Sequence, residues 1–158
     1  LQAAVFTLLA VAGRRAPDDA VLLGAPTVEV LVAVVGVTVV TMVLGLVISA
    51  FIDNADRGMP LLVLVLMLQL VVSGGLFPVH GRAVLEQLAW LVPSRWGFAM
   101  GASTLDLNLT TRGGPDALWE HTAGRWLLAA FMLTLIAAVL VTATALLLRR
   151  LDPIRARR

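Results

Sequence analysis

Three runs of this chain, residues 30–52, 59–77 and 126–148, contain no Asp, Glu, His, Arg or Lys. A backbone in such apolar surroundings must satisfy its own N–H and C=O groups, and a single segment does so only as a helix. The 19 residues from Met59 to Phe77 reach about 28 Å at ~1.5 Å per residue, close to the thickness of a bilayer core. With 59% hydrophobic and 14% charged residues, the chain lacks the charges needed to cover a soluble globule of its size. It reads as an all-α polytopic membrane protein. Three complete transmembrane helices are expected at 28–52, 59–77 and 126–148, together with a truncated first helix and short interfacial or re-entrant helices in a long external loop.

Composition removes several function classes. There is no cysteine, which excludes disulfides, thiolate metal sites and cysteine nucleophiles. All 12 basic residues are arginine, so neither a P-loop lysine nor Schiff-base chemistry is available in this segment. Net charge is only +2 and no basic stripe with interleaved aromatics occurs, so nucleic acid is set aside as a partner. No cofactor or metal site is expected in this segment. His80 and His121 lack ligand spacing and are read as exposed polar residues.

Taken in order, residues 1–13 are apolar but reach only about 20 Å, short of a crossing. They are expected to be the end of a helix whose start precedes Leu1, with Arg14 to Thr27 as a solvent-facing turn. In 28–52, Glu29 stands at one end and is read as a headgroup-level carboxylate needing no partner. Thr41, Gly45 and Ser49 form a small-residue stripe suited to a neighbouring helix, as do Ala130, Thr134, Ala138 and Thr142 in the last span. Asp53, Asn54 and Asp56 are placed to cap the next helix rather than to bind a cation.

The helix at 59–77 organises this reading. Pro60 is tolerated in its first turn, and the pair Gly74-Gly75 followed by Pro78 forms a hinge at its far end. Gln69 and Ser73 are its only strongly polar side chains and are candidates to line a path. The external segment 78–125 carries a short apolar face at Val84, Leu85, Leu88, Leu91 and Val92, too short to cross. Trp96 and Phe98 then suit the headgroup level. Asn108-Leu109-Thr110 matches a glycosylation acceptor, a reading discounted because an all-arginine chain fits a G+C-rich bacterium. The tail 149–158 holds five arginines, which marks it as cytoplasmic and places 78–125 outside.

Three spans after a truncated helix, a very short internal turn and a long outer segment resemble an ABC-2 type permease in its ABCG-like arrangement. The residues carrying the resemblance are Leu46-Val47-Ile48-Ser49-Ala50 leading into Asn54-Ala55-Asp56, then Ser73-Gly74-Gly75-Leu76-Phe77, then Pro93-Ser94-Arg95-Trp96-Gly97-Phe98. The signature Pro93, Arg95, Trp96, Gly97 and Phe98 is the most specific of these. The chain is similar to the back half of such a permease, especially in actinobacterial members where FHA and ATP-binding domains precede the permease.

The resemblance implies the permease portion of an ATP-driven exporter in the plasma membrane, working by alternating access on a lipid-like or amphipathic substrate. It also implies a homodimer embedded in membrane lipid, and an ATP-binding domain using ATP and Mg on the same or another chain. An outer gate falls at Leu76 and Phe77, with Gly75 standing where a second bulky residue is common. The segment itself is then not an enzyme. The alternatives are an ion-coupled secondary transporter, which needs titratable groups at depth that these runs lack, or a non-transport membrane scaffold.

The topology is testable. Cysteines introduced singly at Arg82 and Glu86 into this cysteine-free chain should react with an impermeant thiol reagent added outside intact cells. Labelling from the cytoplasmic side alone would invert the assignment.

Overall fold

The computed structural model describes residues 2–12, 20–52, 55–76, 79, 81–110 and 115–150. In chain order these form α1 (Gln2–Ala12), α2 (Pro26–Phe51), α3 (Ala55–Val72), α4 (Ala83–Trp90), α5 (Pro93–Thr104), α6 (Leu107–Thr110), a 3-10 turn (Ala117–Trp119) and α7 (Ala123–Arg150). No strand occurs among the described residues. The all-helical class expected from the three uncharged runs is what forms.

The helices α2 and α7 are long and apolar enough to cross a membrane. Pro26 opens α2 and Pro93 opens α5, each where the missing N–H has no helical partner to lose. Hydroxyls within the apolar runs bond to their own helix. Thr38 donates to the Val34 carbonyl (2.7 Å), Thr41 to Val37 (2.8 Å), Thr134 to Ala130 (2.8 Å) and Thr142 to Ala138 (2.7 Å). Such back-bonding leaves no free donor facing an apolar surrounding.

The run expected to span at 59–77 differs from those bounds. Its helix begins at Ala55, inside the polar connection, and ends at Val72, so its apolar part, Gly58–Val72, is shorter than a full crossing. The early stop has a local cause. The Ser73 hydroxyl donates to the Leu70 carbonyl (2.8 Å), and Gly74 takes φ +90°, a left-handed turn that L side chains resist. Asp53 and Asn54, expected as caps, lie outside the described residues, as do Phe77, Pro78, His80 and the tail from Leu151.

The packed centre is α5, not α3. Nine of the twelve α5 residues are buried, including Arg95, Trp96 and Met100, and α5 packs against both α2 and α7, which also pack against each other. Trp96, Ala99 and Met100 join Ala33 and Val40 of α2 and Trp126, Ala129 and Leu133 of α7 in one cluster. This corrects the reading of Trp96 and Phe98 as headgroup aromatics. Trp96 is 0% exposed, with its indole N–H donating to the Trp90 carbonyl (3.0 Å), and Phe98 is half-buried.

Glycine admits α5 to this position. A Cβ on Gly97 would stand 2.6 Å from Val37 Cβ, so the two backbones approach as only glycine allows. Seven residues further along α5, Thr104 reaches Glu29, eight residues back along α2 (2.9 Å). Hence α5 runs antiparallel to α2. Its fifth residue, Gly97, is level with Val37, about 16 Å along α2 from Pro26 at ~1.5 Å per residue. Most of the α5 side chains are covered by protein.

The small-residue stripes behave differently from expectation. On α7, Thr134, Ala138 and Thr142 are exposed, and the packed face is Trp126, Ala129 and Leu133, three to four residues apart. On α2, Gly45 and Ser49 line a shallow recess with Gly58 and Leu62 of α3 rather than a tight crossing. α3 itself keeps most of its apolar side chains exposed, with Met59 at 72%, Leu64 at 64% and Leu66 at 62%.

Gly97→Leu should therefore overpack the α2–α5 crossing and cost about 1–3 kcal/mol. A lowered unfolding midpoint in detergent, partly recovered by adding Val37→Ala, is the expected result. An unchanged midpoint would show that the crossing tolerates a side chain.

Candidate functional site

The site is built where α3 ends against α5. The Gln69 carbonyl accepts from the Ser94 hydroxyl (2.7 Å) and from the Ser73 N–H (3.0 Å), which ties the last turn of α3 to the first turn of α5. Ser73 Oγ also accepts from the Gly75 N–H (3.3 Å). Beyond that turn the two glycines are pressed by α5. A Cβ on Gly74 would collide with Arg95 Nη1 and stand 3.6 Å from Trp119 Cζ2, and one on Gly75 would stand 2.9 Å from Phe98 Cε2. Leu76 follows and is 59% exposed.

Behind the glycines lies a buried ion pair. Arg95 Nη2 donates to Asp116 Oδ2 at 2.5 Å, with both side chains almost wholly enclosed. Asp116 Oδ1 accepts from the Leu118 N–H (3.0 Å) and so caps the 3-10 turn. Its backbone is held by both ends of the Asn108 amide, at 3.0 and 3.1 Å. Asn108 is thus committed to the fold. The turn carries Trp119, which packs edge-on to Phe98 at 5.7 Å between ring centroids. Arg95 Nη1 and Trp119 Nε1 are buried and have no hydrogen-bond partner among the described residues.

A second buried carboxylate pins the other end of α5. Glu29 is 0% exposed. Its Oε1 accepts from the N–H groups of Leu22 (2.5 Å) and Leu23 (2.8 Å), and its Oε2 from Val21 N–H (3.2 Å) and the Thr104 hydroxyl (2.9 Å). This corrects the reading of Glu29 as a headgroup carboxylate without partners. A buried carboxylate is tolerable only when its lone pairs are taken up, and here four donors do so.

Two cavities flank α5. One, an open recess of about 360 Å³ with an almost entirely apolar lining, lies between α2, α5 and the end of α3, with Ser73, Ser94, Phe98 and Gly101 in its wall. The other, about 180 Å³, has a mixed wall in which Glu86, Arg95, Asp116 and Arg125 stand beside Trp90, Trp96 and Leu118. His121, read as an exposed residue, is half-buried and donates from Nδ1 to the Ser103 carbonyl (2.9 Å). No cluster of metal-ligating side chains occurs among the described residues.

The structure thus brings together Ser73, Gly74, Gly75, Arg95 and Phe98, which the sequence singles out in two separate motifs. Gln69 is buried, at 9% exposure, and is absent from the apolar cavity wall. Phe77 lies outside the described residues. Sequence reasoning missed Asp116, Trp119 and the partners of Glu29. A signal existed for the first: Arg95 is the only charge between Glu86 and Asp106, and a lone cation in an apolar stretch requires a carboxylate.

Comparison with known proteins places this arrangement. The family described as ABC-2 type transporter matches residues 1–105. The chain is 40% identical over 145 residues to the ABC transporter ATP-binding/permease protein Rv1747 of Mycobacterium tuberculosis. That alignment covers 89% of this chain and 17% of the relative, so the chain spans about a sixth of the relative's length. No solved structure matches the chain.

Removing one partner of the buried pair leaves a charge unpaired, so Arg95→Ala should cost about 3–5 kcal/mol. Adding Asp116→Leu should recover part of that loss. Unfolding midpoints of the single and double variants measure both effects. Strict additivity would mean that the two side chains do not interact.

Proposed function

We infer the function from one established premise: this chain belongs to the ABC-2 type transporter family. It is a membrane transport component and not a catalytic one. Within that class we propose the permease portion of an ATP-driven exporter, which moves a lipid-like or amphipathic substrate by alternating access. An ATP-binding domain, on the same or another chain, would supply ATP and Mg chemistry. The relative's name pairs ATP-binding with permease in one protein, which supports that partnership.

One observation carries the reading. α3 has exposed apolar sides and is held to the bundle mainly at its end, where two glycines bear against α5. A helix fixed at one end and lightly packed elsewhere can shift relative to a rigid core, as alternating access requires. In the proposed assembly α3 faces a second copy across the substrate path, with lipid around the remainder. α3 and the re-entrant α5 together complete a third crossing beside α2 and α7. The protein sits in the plasma membrane with its arginine tail in the cytoplasm, where each near-surface arginine adds about 1 kcal/mol of attraction to anionic lipid.

Reconstitution with the ATP-binding domain in proteoliposomes tests this. Uptake of a fluorescent amphiphile that requires ATP and Mg and ignores ion gradients is expected. Uptake driven by a proton or sodium gradient without ATP would overturn it in favour of secondary transport. In the same vesicles, Leu76→Ala with Phe77→Ala should raise leak or uncouple ATP hydrolysis from export. Unchanged leak and unchanged basal hydrolysis would assign the pair to packing.

A further inference from the structure

We propose that the cavity of about 180 Å³ walled by α4, α5, the 3-10 turn and α7 is a headgroup site for a zwitterionic phospholipid, one that carries an ammonium beside its phosphate. The proposal needs a membrane around the chain and does not depend on the exporter reading.

The α7 wall of the cavity is Arg125, in the first turn of that helix, and the uncharged run 126–148 begins at the next residue. Arg125 therefore stands where an apolar crossing gives way to polar surroundings, the depth at which lipid headgroups lie. Further along α7, at helical spacing on the same face, come Leu128, Met132 and Leu135. The first two are half-buried and Leu135 is 45% exposed. An acyl chain that descends from a headgroup at Arg125 has that apolar face to lie on.

The wall carries both signs of charge. Arg95 and Asp116 are enclosed and answer one another, so they offer no net charge to a ligand. Arg125 bonds the exposed Glu120 through Nε (3.2 Å), which leaves the two terminal nitrogens of its fork outside that pair. A guanidinium end with two N–H groups side by side matches a pair of phosphate oxygens. On the α4 wall, Glu86 and Trp90 are four residues apart and share a face. Trp90 is 48% exposed, and a carboxylate beside an indole attracts an alkylammonium both by charge and through the ring face. A carboxylate has about four acceptor positions, so Glu86 receives the ammonium alongside the interaction it already makes.

This arrangement selects between headgroups. A ligand bearing phosphate alone meets Glu86 as a like charge, and one bearing ammonium alone meets Arg125 as a like charge. A zwitterion satisfies both walls and, in doing so, ties α4 to α7.

The test is native mass spectrometry of the delipidated protein in detergent, with one lipid added at a time. Dioleoyl phosphatidylethanolamine should bind about tenfold more tightly than dioleoyl phosphatidylglycerol, which has the same tails and phosphate without the ammonium, and more tightly still than dioleoylglycerol. Arg125→Gln should lower the phosphatidylethanolamine affinity about tenfold, the factor that loss of a charge-assisted hydrogen bond gives. Glu120→Gln breaks the same exposed pair and should leave that affinity unchanged. Glu86→Gln should reduce phosphatidylethanolamine to the affinity of phosphatidylglycerol. In a second measurement, phosphatidylethanolamine should raise the unfolding midpoint of the parent and not that of Arg125→Gln, because a ligand that binds the folded state stabilises it.

Equal affinities for the three lipids overturn the proposal. So does an Arg125→Gln protein that binds phosphatidylethanolamine as the parent does. Free glycerophosphoethanolamine, which has the headgroup without tails, separates the two sources of this chemistry. Failure to displace the lipid at equal concentration supports a lipid site, and full displacement would assign the cavity to a soluble ligand instead.

Discussion

The structure depends on the approach of Gly97 to Val37. Between helices in lipid there is no large hydrophobic gain from burial, since the surrounding tails are as apolar as the side chains, and association rests on close van der Waals packing. A glycine at the crossing lets α5 lie against α2 backbone to backbone. With α5 seated there, Trp96 and Met100 reach the face of α7 that carries Trp126, Ala129 and Leu133. A side chain at position 97 would push α5 outward and undo contacts on both sides at once.

Seating a helix with polar residues in that position creates a second requirement. Arg95 comes to a site where a free guanidinium would be severely desolvated, and Glu29 where a free carboxylate would be. Each is resolved by bonds that also define a connection. The Arg95 partner, Asp116, caps the turn that positions Trp119, and the Glu29 donors include three successive N–H groups of the α1–α2 connection. The two ends of α5 are thus tied to different loops. The polar groups add specificity of register to packing that is otherwise slippery, because apolar side chains alone tolerate sliding by a turn.

The long uncharged runs made the class and the positions of α2 and α7 legible, because a 23-residue stretch without charge has one compatible backbone. The end of α3 was harder. Met59 to Phe77 is continuous in hydropathy, and nothing in that measure marks the stop at Val72, which comes from a serine back-bond and a left-handed glycine. The depth of α5 was not legible. Pro93 to Thr104 contains serine, arginine, glycine and threonine, so its mean character is amphipathic, and only tertiary packing shows that nearly every side is covered. Motif spacing brought attention to both halves of the site, Ser73 to Leu76 and Pro93 to Phe98. Their contact could not be read from a separation of about twenty residues in the chain, and the carboxylate at Asp116 lay further still.

That division of labour between α3 and α5 has a mechanical consequence for the proposed permease. A barrier made wholly from consecutive side chains of α3 would open only when α3 itself moved, and opening would then be coupled rigidly to helix motion. In this structure the groups beside the α3 exit come from α5, which is braced from α2, α7 and the Asp116 turn. α3 is joined to that frame by the Ser94 hydroxyl and by glycines that carry no side chain to interlock. Small tilts of α3 can then alter the exit while the core stays packed, because the sliding surface is glycine backbone against α5. The buried Arg95–Asp116 pair keeps that surface stiff, which is the property a repeated transport cycle needs from the part that does not move.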